Sequence, residues 1–234
     1  MNSNVFFAQN LLKSNPVQSN KAILQSAMSM VADLLNNACG SRLSAAKKYP
    51  VSVMGDFCDS KDNVILNEYI PLLTRQLESS VKTFDRIVAL ANFGSLGVEE
   101  ILPVLLPVIR GTSGKFDDTA ERLRAVLSLQ RVVFTVPEKV EINWKLIKIN
   151  FSNKSFSNQI HPILISLASN VGERPEIRMA SLGLLFMSNA PQALWQKFAA
   201  QSWFEPNRQF ASFTHKLIKS IAHVPAASPI FMEL

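Results

Sequence analysis

The segment Arg208-Gln-Phe-Ala-Ser-Phe-Thr-His-Lys-Leu-Ile-Lys-Ser-Ile-Ala-His223 carries the clearest structural signal in the chain. Its large apolar residues are spaced three and four positions apart, which places them on one helix face: Phe210, Phe213, Leu217, Ile218 and Ile221. The opposite face is polar and mostly basic: Arg208, Ser212, His215, Lys216, Lys219 and His223. Asn207 is predicted to cap this helix, after a break at Glu205-Pro206. The segment is therefore predicted to be an amphipathic α-helix with one buried side.

Helical periodicity extends over most of the chain. Further amphipathic helices are predicted at Lys21–Asn37, Asn67–Ser79, Thr83–Phe93, Val98–Arg110, Thr119–Val133, Ile160–Ala168, Pro175–Met187 and Pro191–Gln201. Strand-like alternation occurs only at Pro50–Met54 and Ile142–Phe151. Gly, Pro and Asn separate the helical segments, and short loops favour antiparallel neighbours. The predicted fold class is all-α.

A weak internal repeat indicates how the helices are arranged. A basic residue opens a run of small and large apolar residues at Arg86, Arg124, Arg178 and Arg208, at intervals of 38, 54 and 30 residues. The long interval falls to 36 if the 18 residues Glu141–Asn158, rich in Asn, Ser, Lys and Phe, are an insertion. The repeat predicts helical pairs stacked into a superhelix. Ordinary helix packing with accidental similarity is the alternative.

Composition excludes several classes of protein. The chain has 234 residues, of which 47% are apolar and 18% charged, and a net charge of +6. This composition does not fit a disordered chain or a disulfide-dense mini-protein. Its longest apolar run, Ile101–Ile109, has nine residues and two prolines, too short to cross a bilayer. That run is predicted to be a core helix, or a helix that faces another layer or a lipid-filled space. The basic residues are not clustered, so no specific nucleic-acid partner is expected.

No catalytic or metal-binding motif is present, so neither an enzymatic activity nor a cofactor is predicted. His161 precedes Pro162 and is predicted to be a capping or turn residue at a helix start. His215 and His223 lie on the polar face of the last helix and are predicted to be solvated. The acidic residues Asp56, Asp59 and Asp62 lack the glycine and terminal glutamate of a calcium loop.

Cys39 and Cys58 are the only cysteines. From the residues alone, a stabilising disulfide and two buried thiols are equally good interpretations. Asn150-Phe-Ser152 and Asn153-Lys-Ser155 are N-glycosylation sequons, both within Glu141–Asn158. They favour an exposed position in a secreted protein, unless this segment is absent from the mature product.

The order of several short motifs resembles the α-helical domain of the large lipid-transfer proteins of the insect vitellogenin type. The motifs are Cys39-Gly40, Tyr49-Pro50-Val51, Met54-Gly55-Asp56-Phe57-Cys58, Ala89-Leu90-Ala91-Asn92-Phe93-Gly94, Arg174-Pro175-Glu176-Ile177-Arg178-Met179-Ala180, Ser188-Asn189-Ala190-Pro191 and Glu205-Pro206-Asn207-Arg208-Gln209-Phe210-Ala211-Ser212-Phe213. The family pattern favours Gly where Ala91 stands, and it contains no counterpart of Glu141–Asn158. A lipophorin-like relative also fits these motifs.

The resemblance implies a two-layer right-handed α-α superhelix that wraps and supports a lipid cavity walled by β-sheets. It implies a secreted, extracellular lipid-transport or yolk precursor with phospholipid and neutral lipid as cargo. The remaining β-sheet domains of the parent chain would be partners, with membrane or receptor contact. The resemblance also implies a disulfide bond between Cys39 and Cys58.

The expected organisation is a poorly defined leader at residues 1–20, a helical domain at 21–224 with an insertion at 141–158, and a truncated C-terminal extension at 225–234. The N-terminus lacks a secretory signal, which taken literally predicts a cytosolic protein; the alternative is an internal piece of a longer chain. Because the sequence also stops abruptly at Met232-Glu-Leu234, we expect a fragment. On the last helix, Arg208, Lys216 and Lys219 are predicted to contact anionic membranes or partners. The alternative function is an autonomous helical-repeat scaffold that binds proteins without lipid.

Overall fold

The computed structural model describes residues 10, 14, 20–35, 65–133, 154–188 and 190–222. These residues form helices and loops, without a strand. The helices are α1 (Lys21–Leu35), α2 (Ile70–Ser79), α3 (Thr83–Leu96), α4 (Leu102–Arg110), α5 (Thr119–Ser128), α6 (Gln130–Val133), α7 (Lys154–Ser169), α8 (Pro175–Met187), α9 (Gln192–Ser202) and α10 (Arg208–Ala222). A π-helical turn (Ile65–Tyr69) precedes α2, and a 3-10 turn (Glu99–Ile101) precedes α4.

The structure confirms a helix at each predicted place that it describes. Helix α8 has the predicted bounds, and Asn207 caps α10 as predicted, with its Oδ1 accepting from the Phe210 amide at 2.9 Å. The strand-like segments Pro50–Met54 and Ile142–Phe151 lie outside the described residues. Of the predicted insertion, residues 154–158 form the start of α7, and the others lie outside the described residues. The domain boundaries stay a prediction.

The predicted start of α7 is wrong. The helix begins at Lys154 rather than Ile160, and Pro162 lies inside it. Proline removes one backbone hydrogen bond and disfavours a helix interior. Here Ile160, Leu164 and Ala168 are buried on one side of α7, and this packing offsets the lost bond. His161 is consequently a mid-helix residue and not a capping residue.

The predicted helix over Thr119–Val133 is interrupted at Leu129. The hydroxyl oxygen of Ser128 lies 2.8 Å from the carbonyl of Arg124, one turn earlier in α5, and 2.7 Å from the carbonyl of Leu90 in α3. A serine that bonds back to its own helix competes with the backbone ladder and bends the helix. This bonding lies at the point where α5 ends and the short α6 follows.

The chain divides into two compact units, residues 1–135 and 136–234. In the first unit α2 packs against α3 and α4 packs against α5, so that each forms a helical pair. The second helices of these pairs, α3 and α5, also pack against each other, and α1 packs against α3. The core of this unit is aliphatic around Phe93, and its fully buried side chains include Leu35, Leu73, Leu77, Leu90, Leu96, Leu105, Ile109 and Leu129.

The second unit repeats this arrangement. Helix α7 pairs with α8, α9 pairs with α10, and the second helices α8 and α10 pack against each other. Trp195 of α9 lies edge-on to Phe186, with ring centroids 6.1 Å apart, and next to Phe198. The four residues that mark the weak sequence repeat fall on the second helices α3, α5, α8 and α10. The repeat is therefore real at the level of helical pairs.

Candidate functional site

The basic residues of α10 share one exposed surface. Arg208, Lys216 and Lys219 are exposed, as are Ser212 and His215 between them. At 3.6 residues per turn these positions cover a stripe about 100° wide and about 16 Å long. We call Arg208, Lys216 and Lys219 the basic stripe. Such a stripe can attract a negatively charged surface over three turns of helix.

The opposite side of α10 fixes the orientation of the basic stripe. Phe210 is buried, and Phe213, Leu217 and Ile218 are half-buried. The buried Thr214 hydroxyl donates to the Phe210 carbonyl at 2.8 Å, so it needs no partner outside the helix. Burial of this face fixes the helix so that the basic stripe stays exposed.

A buried ion pair fixes the start of α10 against α8. The two terminal nitrogens of Arg178 donate to the two carboxylate oxygens of Glu205 at 2.9 and 2.6 Å. The Nε of Arg178 donates to the Ala168 carbonyl at 3.2 Å, and its guanidinium lies 3.8 Å from the centroid of the Phe210 ring. The Arg178 side chain is 2% exposed and that of Glu205 7%. The guanidinium hydrogen bond lowers the pKa of Glu205 against the opposing effect of burial.

The turn between α9 and α10 presents two aromatic side chains to solvent. Trp203 is 86% exposed and Phe204 is 89% exposed. They directly precede Glu205, the residue fixed by Arg178. The aromatic pair and the basic stripe thus share the last helical pair, α9 and α10.

A second ion pair occupies the corresponding place in the first unit. The Nε of Arg86 in α3 donates to Oε1 of Glu121 in α5 at 2.6 Å. Its other nitrogens donate to the carbonyls of Ser80 and Val81 and to the Thr83 hydroxyl. Glu121 is buried, and its Oε2 has no hydrogen-bond partner.

Helix α1 is held to α3 through Asp85. Lys21 and Gln25 of α1 both donate to the Asp85 carboxylate, Gln25 at 2.9 Å. The Lys21 hydrogen bond lowers the pKa of Asp85. The buried Tyr69 hydroxyl donates to the Met28 carbonyl, and burial raises the pKa of that phenol far above its ordinary value. These contacts are structural, because they join α1 to α3 and to the turn that precedes α2.

Helix α4 is less buried than a pure core helix. Leu102, Leu105, Val108 and Ile109 are buried, whereas Val104, Leu106 and Pro107 are half-buried and Pro103 is exposed. One side of this run is core, as predicted, and the other side is apolar and partly exposed. That the partly exposed side faces another layer or a lipid-filled space stays a prediction.

His161 links α7 to the end of α8. Its Nε2 lies 2.8 Å from the Ser188 hydroxyl oxygen, which is also 3.1 Å from the Leu185 carbonyl. Burial lowers the pKa of His161. A histidine and a serine at this distance could form a nucleophile and base, but Ser188 is buried and closed to a substrate.

Other predicted site residues lie outside the described part of the chain. These are Cys39 and Cys58, the predicted disulfide, and Asn150 and Asn153, the predicted glycosylation sites. Among the residues that the structure does describe, no three His, Cys, Asp or Glu side chains come together as a metal site. No helix in the described ranges is both long and apolar enough to cross a membrane.

The local sequence pattern does not predict the roles of Arg178, Glu205, Trp203 and Phe204. Arg178 stood out as a repeat marker and as part of a family motif, but nothing local distinguishes a buried arginine from a solvated one. The adjacent pair Trp203-Phe204 before Glu205-Pro206 was the available signal for an exposed aromatic turn.

Comparison with known proteins places these features in a family. The model of the vitellogenin TPR domain matches residues 3–148 and 150–219. Vitellogenin-2 of Periplaneta americana is 28% identical over 217 residues, covering 92% of this chain and 10% of that protein. The hemolymph clottable protein of Penaeus monodon is 28% identical over 166 residues, covering 70% of this chain and 9% of that protein. The chain thus spans about a tenth of the length of these relatives.

A solved structure described as lipid–protein interactions in lipovitellin matches 97% of this chain and 20% of its own, with a TM-score of 0.66 and 18% identity. This likeness confirms the fold class, an all-α superhelix. The family model covers nearly the whole chain, and its match agrees with the paired helices seen in each unit. The chain belongs to the vitellogenin TPR domain family.

Proposed function

We propose that this chain is the helical part of a longer, secreted lipid-transport and yolk-precursor protein, in which the helices wrap and support the lipid cavity. The observation that carries this proposal is the family match over residues 3–148 and 150–219. The half-buried apolar side of α4 supports it, since an open apolar face suits contact with lipid or with a lipid-covered sheet. Phospholipid and neutral lipid are the proposed cargo, sequestered because apolar surface leaves water. The other proposed partners are the β-sheet domains of the parent chain and a receptor.

The test is to find the native polypeptide. Peptide mass spectrometry of secreted fluid and cell extract, after flotation in a density gradient, should detect peptides of this chain in a secreted, lipid-containing particle. The polypeptide in that particle should be several times longer than 234 residues. A chain of this length found only inside cells and without lipid would contradict the proposal and favour an autonomous protein-binding scaffold.

Secretion also implies covalent modification. We expect Cys39 and Cys58 to pair in the native protein, and Asn150 and Asn153 to carry glycans. Peptide mapping without reduction should give one cross-linked peptide, and glycosidase treatment should convert the two asparagines to aspartates. Free thiols and unmodified asparagines in secreted material would contradict these assignments.

The basic stripe is proposed to contact anionic surfaces. The variant R208E/K216E/K219E should lose binding to phosphatidylserine-containing vesicles, because repulsion replaces attraction at all three positions. The matched control K82E/R110E/K115E changes the net charge equally at three exposed residues of the first unit. Equal loss of binding in both variants would indicate a response to net charge alone and would refute a localised contact.

A further inference from the structure

The α9–α10 turn exposes two large aromatic side chains, although other aromatic side chains of this helical pair are buried. Trp203 and Phe204 are consecutive and almost fully exposed, whereas Trp195, Phe198 and Phe210 from the same helical pair are buried. Consecutive aromatic side chains in water are unfavourable unless something covers them.

The turn is also rigid, which distinguishes it from an ordinary loop. The Phe204 amide donates to the Gln201 carbonyl at 3.1 Å, and the Asn207 amide donates to the Glu205 carboxylate at 3.0 Å. Glu205 is itself fixed by two bonds from Arg178. The backbone that carries the aromatic pair is therefore already fixed, and binding through it would lose little backbone entropy.

The charge around the turn indicates the chemistry of the partner. Between Pro191 and Ala222 the sequence has one acidic residue, Glu205, and Arg178 neutralises it. The basic residues of this segment are all exposed: Lys197, Arg208, Lys216 and Lys219. A partner that covers the aromatic pair thus meets a helical pair of net positive charge, which favours an anionic partner.

We propose that Trp203 and Phe204 insert into the interfacial region of an anionic phospholipid surface, with Arg208 at the level of the headgroups. This inference rests on the surface contact proposed for the basic stripe and adds an apolar anchor to it. Tryptophan favours the boundary between headgroups and acyl chains, because its ring is apolar and its N–H stays hydrated. Arg208 is the first residue of α10, four positions after Phe204, and its long side chain can extend to phosphate groups while its stem remains near the lipid.

The first experiment measures vesicle binding of the full chain. The variant W203S/F204S should bind phosphatidylcholine–phosphatidylserine vesicles at least about tenfold more weakly than wild type. The matched control V81S/F84S removes two exposed apolar side chains, 90% and 68% exposed, from the first unit, and should bind as wild type does. Unchanged binding of W203S/F204S, or equal loss in the control, would overturn the proposal. Far-UV circular dichroism confirms that each variant is folded.

A second experiment measures insertion directly. Vesicles with brominated acyl chains should quench wild-type tryptophan fluorescence, and in W203F this quenching should disappear while binding persists. Persistent quenching in W203F would overturn the proposal. The two proposals are separable, because R208E/K216E/K219E tests attraction to the vesicle. Loss of binding in that variant together with normal binding of W203S/F204S would contradict insertion and leave the anionic contact intact.

Discussion

Residues 1–135 and residues 136–234 each contain an arginine–glutamate pair at the same place in the helical arrangement, and the arginine is half-buried in the first pair and buried in the second. In the first unit Arg86 of α3 binds Glu121 near the start of α5. In the second unit Arg178 of α8 binds Glu205 just before α10. Both arginines are the fourth residue of their helix. Each pair joins the second helix of one helical pair to the second helix of the next.

The two pairs differ in how well their charges are satisfied. Glu121 accepts one bond from Arg86, and its other oxygen is buried without a partner. Glu205 accepts two bonds from Arg178 and a third from the Asn207 amide. A buried ion pair stabilises a fold only when its remaining polar atoms are also bonded. The same repeat position can therefore contain an ion pair whose carboxylate is fully hydrogen-bonded or one whose carboxylate is only partly hydrogen-bonded.

The largest expected effect on stability comes from breaking the fully hydrogen-bonded Arg178–Glu205 pair. Arg178→Ala should lower the free energy of unfolding by about 3–5 kcal/mol, because the Glu205 carboxylate would lose its counter-charge and two of its three hydrogen bonds. Urea denaturation followed by circular dichroism measures the loss, and hydrogen exchange should place it in α8 and α10. The exposed Arg174 is a matched control, and Arg174→Ala should change stability by about 0.5 kcal/mol or less.

Double-mutant cycles measure how strongly the two residues of each pair are coupled. The coupling free energy between Arg86 and Glu121 is expected to be about 1.5–3 kcal/mol, the value for one charged hydrogen bond. The coupling free energy between Arg178 and Glu205 should exceed it. Equal coupling energies would show that the unpaired oxygen of Glu121 has no energetic consequence, and the contrast between the units would fail.

The next effect on stability concerns one glycine on α3 and one on α8, the helices that carry Arg86 and Arg178. A Cβ atom at Gly94 of α3 would lie 2.9 Å from the Ser128 Cα of α5, so backbone would have to move. Gly94→Ala should therefore destabilise by about 1–3 kcal/mol. A Cβ at Gly183 of α8 would meet nothing within 4 Å, and Gly183→Ala should stabilise by about 0.5–1 kcal/mol. Thermal unfolding of both variants measures the opposite signs, and destabilisation by both would refute close packing as the cause.

Lowering the pH should lower the free energy of unfolding of both units. The contributions of the two carboxylates involved should respond differently to salt. The pKa of Glu205 lies below its ordinary value near 4.5 because of Arg178, and that of Asp85 lies below 3.8 because of Lys21. The unfolded chain therefore takes up these protons first, so the stabilisation present above those values is lost as pH falls towards the folded pKa of each group.

The salt dependence separates the two carboxylates. The Lys21 side chain is 61% exposed, so added salt should screen its effect on Asp85, whereas the Arg178–Glu205 pair is buried and should resist screening. Urea midpoints between pH 3 and 6 in low and high salt, for Asp85→Asn and Glu205→Gln, measure each contribution. Equal salt dependence in the two variants would contradict this difference.

Sequence reasoning predicted the features that depend on local pattern. The helices, the Asn207 cap and the exposed positions of α10 follow from periodicity within one segment. The start of α7 did not follow, because packing of Ile160 and Leu164 overrides the proline signal. The Arg178–Glu205 pair joins residues 27 positions apart, and its burial depends on how α8 and α10 stack. Such tertiary contacts leave no mark on either segment alone.

The smallest expected effect concerns His161, which makes a further link in the second unit. Because burial lowers its pKa below the ordinary value near 6.5, the unfolded chain binds a proton first as the pH falls. Stability should thus be complete above about pH 6.5 and decrease towards the lower folded pKa, by less than about 1 kcal/mol. His161→Gln retains a polar group facing Ser188 but cannot titrate, so this slope should disappear.

His215 provides the control, since it is exposed on α10. His215→Gln should retain the wild-type slope between pH 5 and 7 in urea midpoints. If His161→Gln kept the slope, the hydrogen bond to Ser188 would tolerate the charged imidazole, and burial would not govern its titration. If the slope disappeared, two contacts would stabilise the second unit near opposite ends of α8: the Arg178–Glu205 ion pair and the pH-dependent His161–Ser188 hydrogen bond. The contrast with the first unit would then extend from the number of bonds to their response to pH.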